Sequence, residues 1–269
     1  GELMMEAGAP EGVLNVVNGD KEAVDAILTD PVIQAVSFVG SSDIAHYVYA
    51  NAAANGKRVQ AMGGAKNHAI IMPDADMDHV VNDLIGAGYG SAGERCMALS
   101  VAVPVGEGTA ERLIEKLVPR VRALKVGIST AADSDYGPLV SKAHLEKVKG
   151  YIDLAVKEGA DLLVDGRDFK LQGYENGFFL GGSLLDHVTP EMKNYRDEIF
   201  GPVLSIVRAK TFEEAIELPT KHQYGNGVAI FTRDGDTARS FASRVQVGMV
   251  GVNVPIPVPM AFHSFGGWK

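Results

Sequence analysis

Cysteine is almost missing from this chain of 269 residues, in which Cys96 is the only one. A lone thiol excludes an intrachain disulfide and leaves packing, redox chemistry or nucleophilic catalysis as its roles. It also fits a reducing compartment: the cytoplasm or, in a eukaryote, the mitochondrial matrix. Long apolar runs are missing too. No stretch approaches the roughly 18 apolar residues of a membrane-crossing helix, and no basic segment followed by an apolar core opens the chain, so no membrane is expected as a partner. Positive charge is in deficit, with 25 Lys and Arg against 34 Asp and Glu and a formal net charge of −9. That balance argues against nucleic acid as a partner, while leaving room for a local basic pocket around a phosphate-bearing cofactor. His46, His68, His79, His144, His187, His222 and His263 are scattered, with no HExxH and no pairing with cysteine, so no metal is expected. There is no GxGxxG fingerprint, no internal repeat and no low-complexity segment.

With 46% hydrophobic and 22% charged residues, the chain has the makings of one large core or two modest ones. Strand-like and helix-like segments alternate along it. Val13 to Val17, Val32 to Val39 and Lys57 to Met62 read as strands, separated by a helix from Lys21 to Leu28 capped by Asp20 and a second helix from Ile44 that stops at Asn55-Gly56. A second series follows. Ala69 to Met72, Val101 to Val105, Phe178 to Leu185, Val203 to Ala209, Val228 to Phe231 and Met249 to Val252 read as strands. Met77 to Ala92, Thr109 to Leu124, Ser141 to Glu158 and Thr237 to Val245 read as helices. Thr211-Phe212-Glu213-Glu214 is a capping-box pattern in which Glu214 reaches back to the Thr211 N–H. Pro255-Ile256-Pro257-Val258-Pro259 carries no helix and reads as a surface crossing. The rhythm predicts an α/β fold with parallel sheets and helices packed on them. Gly1-Glu2-Leu3-Met4-Met5 already lies inside a helix-like pattern, and Phe265-Gly266-Gly267-Trp268-Lys269 ends without a polar tail; both suggest a piece of something longer.

Three segments are candidates for chemistry. In Gly93-Glu94-Arg95-Cys96-Met97-Ala98, a neighbouring guanidinium favours a thiolate, although adjacency does not bring the two side chains together, and a lone cysteine is more often a buried small hydrophobe than a nucleophile. Gly40-Ser41-Ser42 forms a turn between a strand and a helix, where free N–H groups suit a phosphate; an ordinary N-cap serine is the plain alternative. Asp197-Glu198-Ile199-Phe200-Gly201-Pro202 is either a solvated acidic loop plugged by Phe200 or a site where Glu198 accepts from ribose hydroxyls and Phe200 lies against a flat ring.

Taken in order, Phe38-Val39-Gly40-Ser41-Ser42, Gly63-Gly64, Gly93-Glu94-Arg95-Cys96, Glu198-Ile199-Phe200-Gly201-Pro202 and Ser264-Phe265-Gly266-Gly267 resemble the NAD(P)-dependent aldehyde dehydrogenase superfamily. Gly93-Glu94-Arg95-Cys96-Met97-Ala98, Gly63-Gly64-Ala65-Lys66-Asn67-His68 and Gly251-Val252-Asn253-Val254-Pro255 are similar to its CoA-acylating branch, the methylmalonate-semialdehyde dehydrogenases. The resemblance implies the aldehyde dehydrogenase fold, with a partial Rossmann-like cofactor domain over residues 1–63, an α/β catalytic domain over 64–252 and a return segment over 253–269. It implies that Cys96 attacks the aldehyde and passes through a thiohemiacetal and a thioester, that Gly40 and Ser41 contact the pyrophosphate of NAD, that Glu198 binds the nicotinamide ribose, and that Phe200 lies beside it. Ala45 stands where the family often has Gly.

Gln60-Ala61-Met62-Gly63-Gly64 departs from the Leu-Glu-Leu-Gly-Gly of hydrolytic relatives, whose Glu helps activate water. Without a general base, typically worth about 10²–10⁴-fold, water is a poor acyl acceptor, and the resemblance implies CoA in its place. Arg95 suits a bidentate grip on the carboxylate of methylmalonate or malonate semialdehyde, or else a scaffold role beside Glu94. The expected products are propionyl-CoA or acetyl-CoA and CO2. The resemblance further implies a homodimer or homotetramer, and a chain that alone binds NAD poorly because half of the cofactor domain and an oxyanion-stabilising Asn lie elsewhere. A hydrolytic aldehyde dehydrogenase is the rival within the family. A cysteine hydrolase, with no His near Cys96 in sequence, and a non-catalytic structural protein are the rivals outside it.

Overall fold

The computed structural model describes residues 1–263, 265, 268 and 269. The near-terminal Ser264-Phe265-Gly266-Gly267 motif therefore falls mostly outside the described residues. The chain divides into two compact units, Gly1–Gly64 and Ala65–Lys269.

In the first unit, α1 (Glu2–Glu6) and α2 (Lys21–Thr29) precede β1 (Ala35–Val39), α3 (Ser42–Ala54) and β2 (Arg58–Met62). The Asp20 side chain accepts the Glu22 N–H at 3.4 Å and starts α2. Parallel strands need a crossover, which α3 supplies: Ala35 stands opposite Arg58 and Val39 opposite Met62. Leu28, Val48 and Ala52 form the small core beneath them, with Val24, Val36, Phe38 and Val59 packed around it. Val13 to Val17 forms no strand. Its apolar side chains stay exposed, because an apolar run becomes a strand only where a partner takes up its N–H and C=O groups.

The second unit is a seven-stranded sheet. Its strands are β3 (Asn67–Ile71), β4 (Leu99–Pro104), β5 (Asp161–Val164), β6 (Ser183–Asp186), β7 (Val203–Ile206), β8 (Gly227–Phe231) and β9 (Met249–Val252). The spatial order is β5-β6-β7-β4-β3-β8-β9, parallel throughout except that β5 runs against β6. The connecting helices are α4 (Met77–Tyr89), α5 (Thr109–Arg122), α6 (Lys142–Glu158), α7 (Lys193–Arg196), α8 (Phe212–Lys221) and α9 (Gly235–Arg244). Covered on both faces, β3 and β8 read as unbroken buried runs rather than alternating ones.

Three further expectations change. Of Phe178 to Leu185 only the end forms a strand, since the Phe178 and Leu180 carbonyls accept from the Leu139 N–H and the Tyr136 hydroxyl instead of a ladder. The helix expected to reach Ala92 stops at Tyr89, and Ser91 and Ala92 turn left-handed with φ of 53° and 55°. Glu214 reaches back to the Lys210 N–H at 2.7 Å rather than to that of Thr211, while the Thr211 hydroxyl accepts the Glu214 N–H as its cap.

Candidate active site

Each candidate residue of the second unit lies just ahead of a strand. Cys96 precedes β4, Glu198 and Phe200 precede β7, Asn67 opens β3, and Asn226 precedes β8. The site thus gathers at the amino edge of neighbouring parallel strands. The segment Gly90–Gly93 brings the chain there: after two left-handed residues, Gly93 has φ 71°, and a Cβ on it would stand 2.1 Å from the Gly201 carbonyl oxygen. Only glycine fits that contact.

Cys96 is exposed. Its backbone is not loose, because its carbonyl accepts from Asn67 Nδ2 at 2.9 Å and Asn226 Nδ2 at 3.0 Å. Asn67, itself buried, also donates to the Ala98 carbonyl at 3.0 Å and accepts the Gly227 N–H at 3.0 Å, so one amide ties β3, the thiol loop and β8 together. Met97, the next residue, is buried and anchors the loop from below.

Arg95 folds back over the end of α4. Its Nε donates to Ser91 Oγ and its Nη1 to the Gly86 carbonyl, both at 3.3 Å, and a Cβ on Gly90 would lie 2.8 Å from Nη1. Its hydrogen bonds thus go to Ser91 and Gly86, not to Glu94. The Glu94 carboxylate accepts the Val140 N–H at 3.3 Å and lies 3.4 Å from His144 Nε2, and burial raises its pKa.

Glu198 is half-buried, and its Oε1 accepts the Ala65 N–H at 2.9 Å. Phe200 adopts a left-handed backbone, φ 59°, held by His144, whose Nε2 donates to the Phe200 carbonyl at 2.5 Å while the two rings meet edge to face. Cys96, Arg95, Glu198 and Phe200 line one small cavity of about 20 Å³. Nothing in the local sequence marks Asn67, Asn226, His144 or Lys66 as functional; Lys66 and Asn67 belong to a family-like segment only through Gly63-Gly64-Ala65-Lys66-Asn67-His68 as a whole.

Gly40 and Ser41 belong to the first unit. The Gly40 N–H donates to the Met62 carbonyl at 3.1 Å, and Ser41 occupies the N-cap position of α3 with no side-chain cap bond. The neighbouring Ser42 hydroxyl takes a structural duty, accepting the Gly64 N–H at 3.0 Å. An exposed, uncommitted Ser41 at the start of a 13-residue helix fits a pyrophosphate, and a Glu198 carboxylate with Oε1 already placed fits paired ribose hydroxyls. Among the described residues, no group of three or more His, Cys, Asp and Glu side chains is arranged to hold a metal ion, and no helix is long and apolar enough to cross a membrane.

The fold and site define an α/β protein with a single accessible thiol at the amino edge of a largely parallel sheet. The chain belongs to the aldehyde dehydrogenase family, whose model matches residues 1–269. A malonate-semialdehyde dehydrogenase of Pseudomonas aeruginosa is 62% identical over 100% of this chain and 54% of its own length. The mitochondrial methylmalonate-semialdehyde dehydrogenase [acylating] of Arabidopsis thaliana is 51% identical over 100% of this chain and 44% of its own. A solved chain from Sinorhizobium meliloti 1021 complexed with NAD superposes with a TM-score of 0.97 at 69% identity, covering 100% of this chain and 55% of that one. The structure has the aldehyde dehydrogenase fold, and the chain spans about half the length of the curated relatives it matches.

Proposed function

We propose that this chain carries the nucleophile and part of the cofactor site of an NAD-dependent, CoA-acylating dehydrogenase for methylmalonate or malonate semialdehyde. Its products are propionyl-CoA or acetyl-CoA and CO2. The observation that carries this reading is the meeting of Cys96, Arg95, Glu198 and Phe200 around one cavity. The names of the relatives support the substrate class.

In this reading the Cys96 thiolate adds to the aldehyde carbon and gives a thiohemiacetal. The carbonyl of Cys96 is held by two amides, so the thiol stands on a fixed backbone when it attacks. Arg95, exposed beside it, binds the substrate carboxylate through its planar fork and orients the aldehyde toward sulfur. Gly40 and Ser41 receive the pyrophosphate of NAD at the α3 N-terminus, Glu198 accepts from the ribose hydroxyls, and Phe200 flanks the ring. Bound NAD supplies the hydride acceptor that converts the thiohemiacetal to a thioester. Ala61 brings no carboxylate to activate water, which leaves the thioester on Cys96 to the CoA thiol.

The parent assembly is a homodimer or homotetramer in a reducing compartment, the cytoplasm or the mitochondrial matrix; the Arabidopsis relative is named mitochondrial. Product analysis with and without CoA, on a protein of the relatives' full length that carries this chain, tests the reading. NADH and acyl-CoA that require CoA are expected. Free acid formed at the same rate without CoA would establish the hydrolytic alternative instead.

A further inference from the structure

Lys66 is a lysine only 3% exposed, one residue ahead of β3, and it has no part in the chemistry at Cys96. Its Nζ donates to the Asn194 carbonyl at 2.7 Å and to the Asp197 carbonyl at 2.9 Å. These two oxygens belong to α7 and the residue after it, a single helical turn whose last carbonyls have few intrahelical partners and carry the negative end of its dipole. The residue before Lys66 holds the residue after Asp197, since the Ala65 N–H donates to Glu198 Oε1 at 2.9 Å. Two consecutive residues on one segment therefore grip two consecutive residues on the other. A slip of the 194–198 segment would break both grips together.

The charges around Lys66 point the same way. Burial lowers its pKa to about 7, opposed by the attraction of Glu198 and then Asp197. His68 and His222 lie close by, and burial first, then the neighbouring positive groups including Lys66 and Lys269, pushes both down, His222 to about 4. Both rings are thus neutral near pH 7. Tyr195, also buried here, is pushed up by burial and stays protonated. The carboxylates of Asp197 and Glu198 are the negative charges that the ammonium meets, and Asp197 is itself held by the Tyr151 hydroxyl at 2.8 Å.

We propose that Lys66 is the positioning residue for Glu198: its buried ammonium ties the Asn194 and Asp197 carbonyls to the start of β3 and so sets the carboxylate against the Ala65 N–H. This rests on the reading that Glu198 binds the ribose of NAD. A buried aliphatic stem with a charged tip is costly to keep unless the tip is fully engaged, and here it is engaged on one loop only.

The test uses a protein of the relatives' full length carrying this chain, with Lys66→Met, Glu198→Gln and the double variant, reading KM for NAD, kcat and melting temperature. Lys66→Met is expected to raise KM for NAD about tenfold, the effect of losing one charge-assisted contact, and to add little in the Glu198→Gln background. A folded Lys66→Met with unchanged KM, while Glu198→Gln raises it, overturns the inference and leaves the ribose reading standing. An unchanged KM in Glu198→Gln overturns the ribose reading itself. A second measurement needs no Lys66 variant. The KM for NAD of the unsubstituted protein should rise a few-fold between about pH 6 and about pH 8.5 as the ammonium loses its charge, and Glu198→Gln should lack that rise. Equal slopes in the two proteins would overturn the inference.

Discussion

Gly93 lies against the carbonyl of Gly201, with room for no side-chain atom between them: a Cβ at 93 would stand 2.1 Å from that oxygen. The contact joins the thiol loop to the loop that carries Glu198 and Phe200. Gly93→Ala would also place a methyl group on a backbone with φ of 71°. Strain and clash together should cost about 3 kcal/mol or more, with Cys96 turnover lost in parallel, as denaturant unfolding and an NADH assay would show. Unchanged stability would mean that the two loops are free to part.

Asn67→Ala removes three hydrogen bonds and strands the Gly227 N–H and the Ala98 carbonyl at a buried position. The expected cost is about 2–4 kcal/mol. Asn226→Ala removes one bond to the Cys96 carbonyl and a contact with Met97 sulfur, and should cost about 1 kcal/mol. Both should quicken alkylation of Cys96 by iodoacetamide, Asn67→Ala the more, since the loop then moves freely.

The contrast between Cys96 and Asn67 shows what a sequence displays of a site like this. Cys96, Glu198 and Phe200 sit in short contiguous motifs, and local patterns such as the Asp20 and Thr211 caps declare themselves through neighbours a few residues away. Asn67 and Asn226 converge on one carbonyl only because β3 and β8 are adjacent strands, a pairing that no spacing in the chain encodes. The left-handed backbones of Ser91, Ala92 and Phe200 are hidden for the same reason: tertiary contacts impose them on residues with no preference for φ above zero. The α/β rhythm was legible because burial sets its period. Val13 to Val17 shows the limit, for hydrophobicity alone does not supply a strand with a partner.

Cys96→Ser should leave the unfolding free energy within about 0.5 kcal/mol, because the residue is exposed and the exchange of sulfur for oxygen is small. Dehydrogenase turnover should fall on the order of 10³-fold or more, as for other lost nucleophiles. Retained turnover would remove the thiol from the mechanism.

Arg95→Lys keeps the charge but loses the planar fork. KM for a carboxylate-bearing semialdehyde should rise about tenfold while KM for an uncharged aldehyde of similar size stays put. Equal changes for both aldehydes would instead assign Arg95 to its bonds with Ser91 and Gly86, a scaffold duty.

His222 gives the fold an acid limit. Its Nδ1 accepts the Tyr224 N–H at 3.1 Å, so its Nε2 carries the proton and donates to the Tyr195 carbonyl at 3.1 Å. Protonation would set an N–H against the Tyr224 N–H in a buried place. Burial chiefly, then the nearby charges of Lys66 and Lys269, lowers its pKa from 6.5 to about 4. Between those two values the unfolded chain binds a proton that the folded chain refuses, so stability present above pH 6.5 is lost as pH falls toward 4. The loss from this one ring amounts to about 3 kcal/mol. His222→Gln carries no titrating group, and its stability, measured by urea unfolding across that window, should fall less steeply than that of the unsubstituted chain. Parallel curves would place the acid sensitivity elsewhere, with buried His68 the first alternative, since burial and the neighbouring His222 push its pKa down in the same direction.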